Sequence, residues 1–187
     1  KRSLVVDYND IYVYDSFAYY YTGQMDITFD GEGKITSAID YVTSDTLPVL
    51  YVLNGHGESA LTQSYQAAIS KQNIEMRDLN LLSTGSVPED ASCLLIYSPA
   101  SDFNQEETAA ILAYLENGGN LILYTDYLPD EKPNLASILE AYGVQPTEGI
   151  IIEGDANQHL RGYAHYLLPV LEDHAITQPL IDHSSQV

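Results

Sequence analysis

His56 and Glu58 flank a glycine in the stretch Asn54-Gly55-His56-Gly57-Glu58. An imidazole and a carboxylate two residues apart could work as an acid/base pair. A nucleophile would have to come from elsewhere, and Ser98 or Ser101 in Ser98-Pro99-Ala100-Ser101-Asp102 could supply its hydroxyl, with Asp126 joining from a later loop. The chemistry would be hydrolysis. Against it, no G-x-S-x-G elbow is present, and Ser, Pro, Asp and Asn also serve loops and helix entries without any reaction. A loop hydrogen bond accounts for His56 equally simply. Geometry, not spacing, identifies a catalytic set, so plain loop roles are the stronger reading.

The same stretch matches G-x-G-x-x-A at Gly55, Gly57 and Ala60, with an apolar run before it and helix-forming sequence after it. Asp78 stands about where a ribose-binding acid is expected, so a dinucleotide site is an open alternative. Glu58 puts like charge where a pyrophosphate would sit and could itself use the field of the helix N-terminus. The glycines then serve only a tight turn.

Metal and phosphate chemistry find little support. His159, His165, His174 and His183 are six or nine residues apart, without the spacing that puts two ligands on one helical face. Asp30-Gly31-Glu32-Gly33-Lys34-Ile35 resembles the middle of a calcium loop. Its first and last ligand positions, however, would fall on Thr28 and Ile39. No G-x-x-x-x-G-K-[ST] occurs. No metal and no cofactor is therefore expected. The 16 tyrosines, several within Tyr8–Tyr21, suit strands as well as partner or sugar contacts.

Seven Lys and Arg against 27 Asp and Glu give a formal charge of −20. Such a surface repels nucleic acid and anionic membranes. The 45% hydrophobic content suffices for a core in 187 residues. Cys93 stands alone inside an apolar run and reads as a buried structural thiol. No run reaches the 18 or so apolar residues of a membrane span. The chain opens Lys1-Arg2-Ser3 without a leader or an initiator Met, so we expect an excised soluble piece of a longer protein.

These residues are positioned by an alternation of strands and helices. Residues 1–47 read as a β-rich lead-in, with strands at Leu4–Val6, Ile11–Tyr14 and Met25–Phe29, a turn at Asp7–Asp10, and a short helix at Ile35–Val42. Residues 48–187 read as an α/β domain with an irregular tail from Asp155. Its strands are Val49–Leu53, Ile74–Leu79, Cys93–Tyr97, Asn120–Tyr124 and Gly149–Ile152. Its helices are Ser59–Lys71, Asn104–Glu116 and Leu135–Tyr142, with Asn104 and Glu107 as a capping box, Asn134 as a cap, and stops at Gly118 and Gly143. The pattern predicts a three-layer, Rossmann-like or flavodoxin-like, mostly parallel sheet covered on both faces. The loops Asn54–Glu58, Ser98–Asp102 and Asp126–Leu128 then share the carboxyl edge, where ligands of such sheets sit.

Three stretches carry a resemblance: ITSAIDYVTSDTLPVLYVLNGHGE, SVPEDASCLLIYSPASDFNQEETAAILAYLENGGNLIL and NLASILEAYGV, with EDHAITQPL near the end. Over most of residues 35–181 the chain resembles the GldG-like auxiliary proteins of ABC transport systems, named for the gliding-motility component. The resemblance implies a domain outside the cytoplasmic membrane, anchored through membrane segments beyond this chain and associated with a separate permease and ATPase. It implies a sheet akin to the class I glutamine-amidotransferase layout without the catalytic cysteine, and it carries no catalytic residue. The expectation is a non-catalytic domain that binds or couples, its loops meeting a small-molecule or protein ligand. A degenerate amidotransferase-like hydrolase using Ser98 or Ser101 with His56 is the alternative.

Overall fold

The computed structural model describes residues 2–15, 19, 23, 26–126, 131–147, 149–178 and 181. Expectations for most of Phe17–Tyr21, for Met25, for His183, for the end of EDHAITQPL and for residues 127–128 lie outside that range. Contacts divide the chain into two units, Lys1–Gln145 and Pro146–Val187.

In the first unit, a one-turn helix α1 (Tyr8–Ile11) runs into strand β1 (Tyr12–Asp15), which pairs antiparallel with β2 (Asp26–Phe29). The expected strand at Leu4–Val6 is irregular chain, and the expected turn at Asp7–Asp10 is the entry to α1. There the Asp7 amide donates to the Asp10 carboxylate at 3.0 Å, local bonding that competes with a strand. Gly31 and Gly33 do end β2, yet they lie inside the next helix, α2 (Gly31–Thr43). Lys71 explains part of this: its ammonium holds Asp30, just before α2, at 2.6 Å.

The second half of the unit is a parallel sheet. Strands β3 (Val49–Leu53), β4 (Glu75–Leu79), β5 (Cys93–Tyr97) and β6 (Leu121–Tyr124) lie in the order β4-β3-β5-β6. This is the expected Rossmann-like α/β architecture. The helices are α3 (Gln63–Lys71), the short α4 (Leu81–Thr84), α5 (Gln105–Glu116) and α6 (Pro133–Glu140). Two cores form, one on each face. Val49, Tyr51, Leu53, Leu94 and Ile96 pack against Ile111, Leu115, Leu135 and Ile138 from α5 and α6. Leu50 and Leu95 pack against Ile69 of α3. Leu94, Leu95 and Ile96 are fully buried, each contributing about 1.5–3 kcal/mol, which is why β5 reads as an unbroken apolar run.

Two helix starts differ from expectation. Helix α3 begins at Gln63 rather than Ser59, with the Thr62 hydroxyl accepting from the Tyr65 amide at 3.2 Å. The Ser59 amide is committed instead to the Tyr97 carbonyl at 3.1 Å. Helix α6 begins at Pro133, so Asn134 lies inside it, and its cap comes from a distant residue described below.

In the second unit, β7 (His159–Leu160) and β8 (Tyr163–Leu167) form an antiparallel hairpin. Gly162 at the turn has a φ of 88°, which suits glycine. Gly149–Ile152, expected as a strand, is not one: Ile150, Ile151 and Ile152 are exposed, and three consecutive apolar residues do not by themselves distinguish a strand from an extended segment.

Candidate functional site

The order β4-β3-β5-β6 reverses direction between β3 and β5, which makes the loops after these two strands the switch-point loops. They are bonded to each other. The His56 carbonyl accepts from the Ala100 and Ser101 amides, both at 2.9 Å, and from the Ser101 hydroxyl at 3.2 Å. Gly57 has a φ of 71° beside Ala100. Ser98 also takes a left-handed conformation, with a φ of 51°, while its amide donates to the Tyr124 carbonyl at 2.8 Å.

Beneath this junction the His56 ring is buried between two carboxylates. Nδ1 lies 3.2 Å from Glu58 and Nε2 lies 3.0 Å from Glu107. All three side chains are over nine-tenths buried, and Phe103 meets the imidazole edge-on with centroids 4.5 Å apart. Two carboxylate acceptors require an N–H on each ring nitrogen, unless a carboxyl carries the proton. Glu58 also accepts from the His56 amide at 2.8 Å, and Glu107 from the Asn104 amide at 3.0 Å. The other Glu107 oxygen is buried without a hydrogen-bond partner among the described residues.

Each sequence-predicted residue can now be placed. His56 and Glu58 do come together, as expected, but the ring faces Glu107 rather than a serine. Ser101 reaches only the His56 carbonyl. Asp102 is the missing cap of α6: its carboxylate accepts from the Asn134 amide at 2.9 Å, the Asn134 side chain at 3.0 Å and the Leu135 amide at 3.0 Å. Asp126 is exposed just past β6. In the G-x-G-x-x-A stretch, Glu58 folds back onto His56, and the helix starts three residues after Ala60. Glu107 is the residue that motif reasoning missed. Its position in the capping box was readable, but not its second bond to His56.

Two further features flank the loops. Tyr65, Tyr97 and Tyr124 form a ring cluster, with Tyr97 and Tyr124 centroids 5.2 Å apart. The Tyr65 hydroxyl lies 3.4 Å from that of Tyr124, and this bond, followed by desolvation, pushes its pKa up to about 12. A cavity of about 310 Å³ opens beside the first loop, lined by residues that include Val52, Asn54, Glu58, Gln66, Asp78 and Tyr97. Arg77 also borders it, but its guanidinium binds Glu75 at 2.9 Å, Asp90 at 2.6 Å and the Tyr51 hydroxyl at 3.2 Å. Cys93, expected to be buried, is half-buried, and that partial burial raises the pKa of its thiol. The described residues hold no group of three or more His, Cys, Asp or Glu arranged for a metal ion.

Sheet order and loop junction together define a Rossmann-like α/β domain whose polar edge is built from loops. Residues 47–161, more than half of the chain, match the family described as ABC-type uncharacterized transport system, and the chain belongs to that family of transport-system auxiliary proteins. No curated protein and no solved structure matches it. Among the described residues no helix is long and apolar enough to cross a membrane.

Proposed function

We propose that this domain is a non-catalytic binding or coupling module of a GldG-like auxiliary protein. It works on the extracytoplasmic side of the cell membrane, beside a permease and an ATPase subunit. The carboxyl-edge loops Asn54–Glu58 and Ser98–Asp102, with Asp126, form its contact surface. The observation that supports this reading is the commitment of the polar groups at the switch point. Both His56 nitrogens face carboxylates, the Ser101 hydroxyl serves a carbonyl, and Asp102 caps a helix. Side chains so used give the edge a fixed shape. The match to a transport-auxiliary family supports the partners.

Affinity purification of the full-length protein from its native membrane tests the proposal. Permease and ATPase subunits should co-purify, and the loop substitutions Asp126→Ala and Asp126→Lys, at an exposed residue, should weaken their recovery while the domain stays folded. Recovery without either subunit, or unchanged by the loop substitutions, would count against it. Hydrolysis by the purified domain that is lost in Ser98→Ala or Ser101→Ala would replace it with an enzymatic reading.

A further inference from the structure

The cavity beside the first loop has an uneven electrostatic character. Asp78 is in register with Val52 on the neighbouring strand, so the two side chains share one face of the sheet. That face is otherwise apolar, with Leu50, Met76 and Leu95 in the same core. The Asp78 carboxylate is exposed at the rim of the cavity, on the edge strand, and has no hydrogen-bond or ion-pair partner among the described residues. The second carboxylate in the wall, Glu58, is tied to His56. The nearby cation, Arg77, is held by Glu75 and Asp90 and stacks over Tyr51, whose ring belongs to the opposite core. No basic group of the lining is thus left to receive an anion.

The rest of the lining suits a ligand with a carbon skeleton and a positive end. Val52, Met76 and Leu61 supply apolar wall, and Asn54 and Gln66 supply amides. Tyr97, an aromatic residue of a kind that attracts cations, also lines the cavity. The volume lies at the lower end of small-molecule sites, roughly 300–1,000 Å³. The net charge of −20 raises the local concentration of cations and repels anions.

We propose that this cavity binds a small organic cation, its ammonium group on the Asp78 carboxylate and its skeleton against Val52, Met76 and the Tyr97 ring. The proposal rests on the binding role given above and names the ligand class for one flank of that edge. Selectivity follows from charge: a neutral isostere keeps the apolar contacts but loses the charge-assisted bond, and an anionic one meets repulsion.

The test is titration of the domain with cadaverine and with benzylamine, followed by backbone amide NMR shifts in about physiological salt. The amines should give saturable shifts centred on Val52, Asn54, Met76 and Asp78. Pentanediol and benzyl alcohol should bind at least about tenfold more weakly, and benzoate not at all. Asp78→Asn should weaken amine binding about tenfold or more, whereas Asp45→Asn, a change at an exposed acid elsewhere, should leave it unchanged. Shifts scattered over the acidic surface, an unchanged affinity in Asp78→Asn, or no saturation would each overturn the assignment. Failure here with co-purification of the transporter subunits intact would remove the cation site and leave the coupling role standing.

Discussion

Nε2 of His56 lies 3.0 Å from a carboxylate oxygen of Glu107, and that oxygen also receives the Asn104 amide that opens α5. A single carboxylate thus ties the β3 loop to the start of the helix after β5. Because ring and carboxylate are buried, neither can fall back on solvent when the other is removed.

His56→Ala should therefore destabilise the domain by about 3–5 kcal/mol, as expected when one partner of a buried pair is lost. Urea unfolding measures it. A double-mutant cycle with Glu107→Ala should show strong coupling, since the second substitution removes the group that the first left stranded. Additive effects would mean that the pair does not act as a unit.

Asp102 and Asn134 give a second test. Asp102→Ala removes the carboxylate that receives three donors at the start of α6. A lost helix cap costs about 0.5–2 kcal/mol, and the effect should localise to α6 in hydrogen exchange. Unchanged protection of Leu135 and Ile138 would refute the capping role.

Gly57 and Gly85 separate strain from crowding. Their φ angles are 71° and 73°, so Gly→Ala at either position carries a left-handed penalty of about 1–2 kcal/mol. A Cβ on Gly57 would sit 3.1 Å from the Ala100 Cβ, whereas one on Gly85 meets nothing within 4 Å. Gly57→Ala should be the more destabilising of the two in thermal melts, and equal costs would show that Ala100 moves aside freely.

Tyr65 predicts an alkaline effect. Its pKa rises from 10.0 to about 12, chiefly through the hydrogen bond with Tyr124. A raised folded pKa means that the folded state holds the proton more tightly than the unfolded one. The contribution is fully present below about pH 10 and is lost as pH rises through about 12. Beside the step of Tyr114, whose pKa burial also raises, spectrophotometric titration should show a late-ionising tyrosine that is missing in Tyr65→Phe and ionises earlier in Tyr124→Phe. The same late step in both variants would assign it elsewhere.

Much of the sheet was legible because parallel strands buried on both faces must be apolar throughout, and Cys93–Tyr97 and Val49–Leu53 show that directly. The Asn104–Glu107 capping box was legible because both of its bonds are local. What escaped was non-local. Asp102 caps a helix 32 residues away, and Ser59 is drawn out of α3 by the carbonyl of Tyr97. For the site, proximity of His56 to Glu58 followed from spacing. The Glu107 contact, 51 residues distant, depends on how α5 lies across the sheet, and no local pattern encodes that.

The three donors on the His56 carbonyl have a consequence for recognition. Binding surfaces made of loops ordinarily lose affinity to the entropy of ordering those loops. Here one oxygen fixes Ala100 and Ser101 against the neighbouring loop before any partner arrives, so that ordering entropy is spent during folding. A partner docking on this edge meets a preorganised surface, and its affinity should depend on the contacts it makes rather than on loops it must first immobilise.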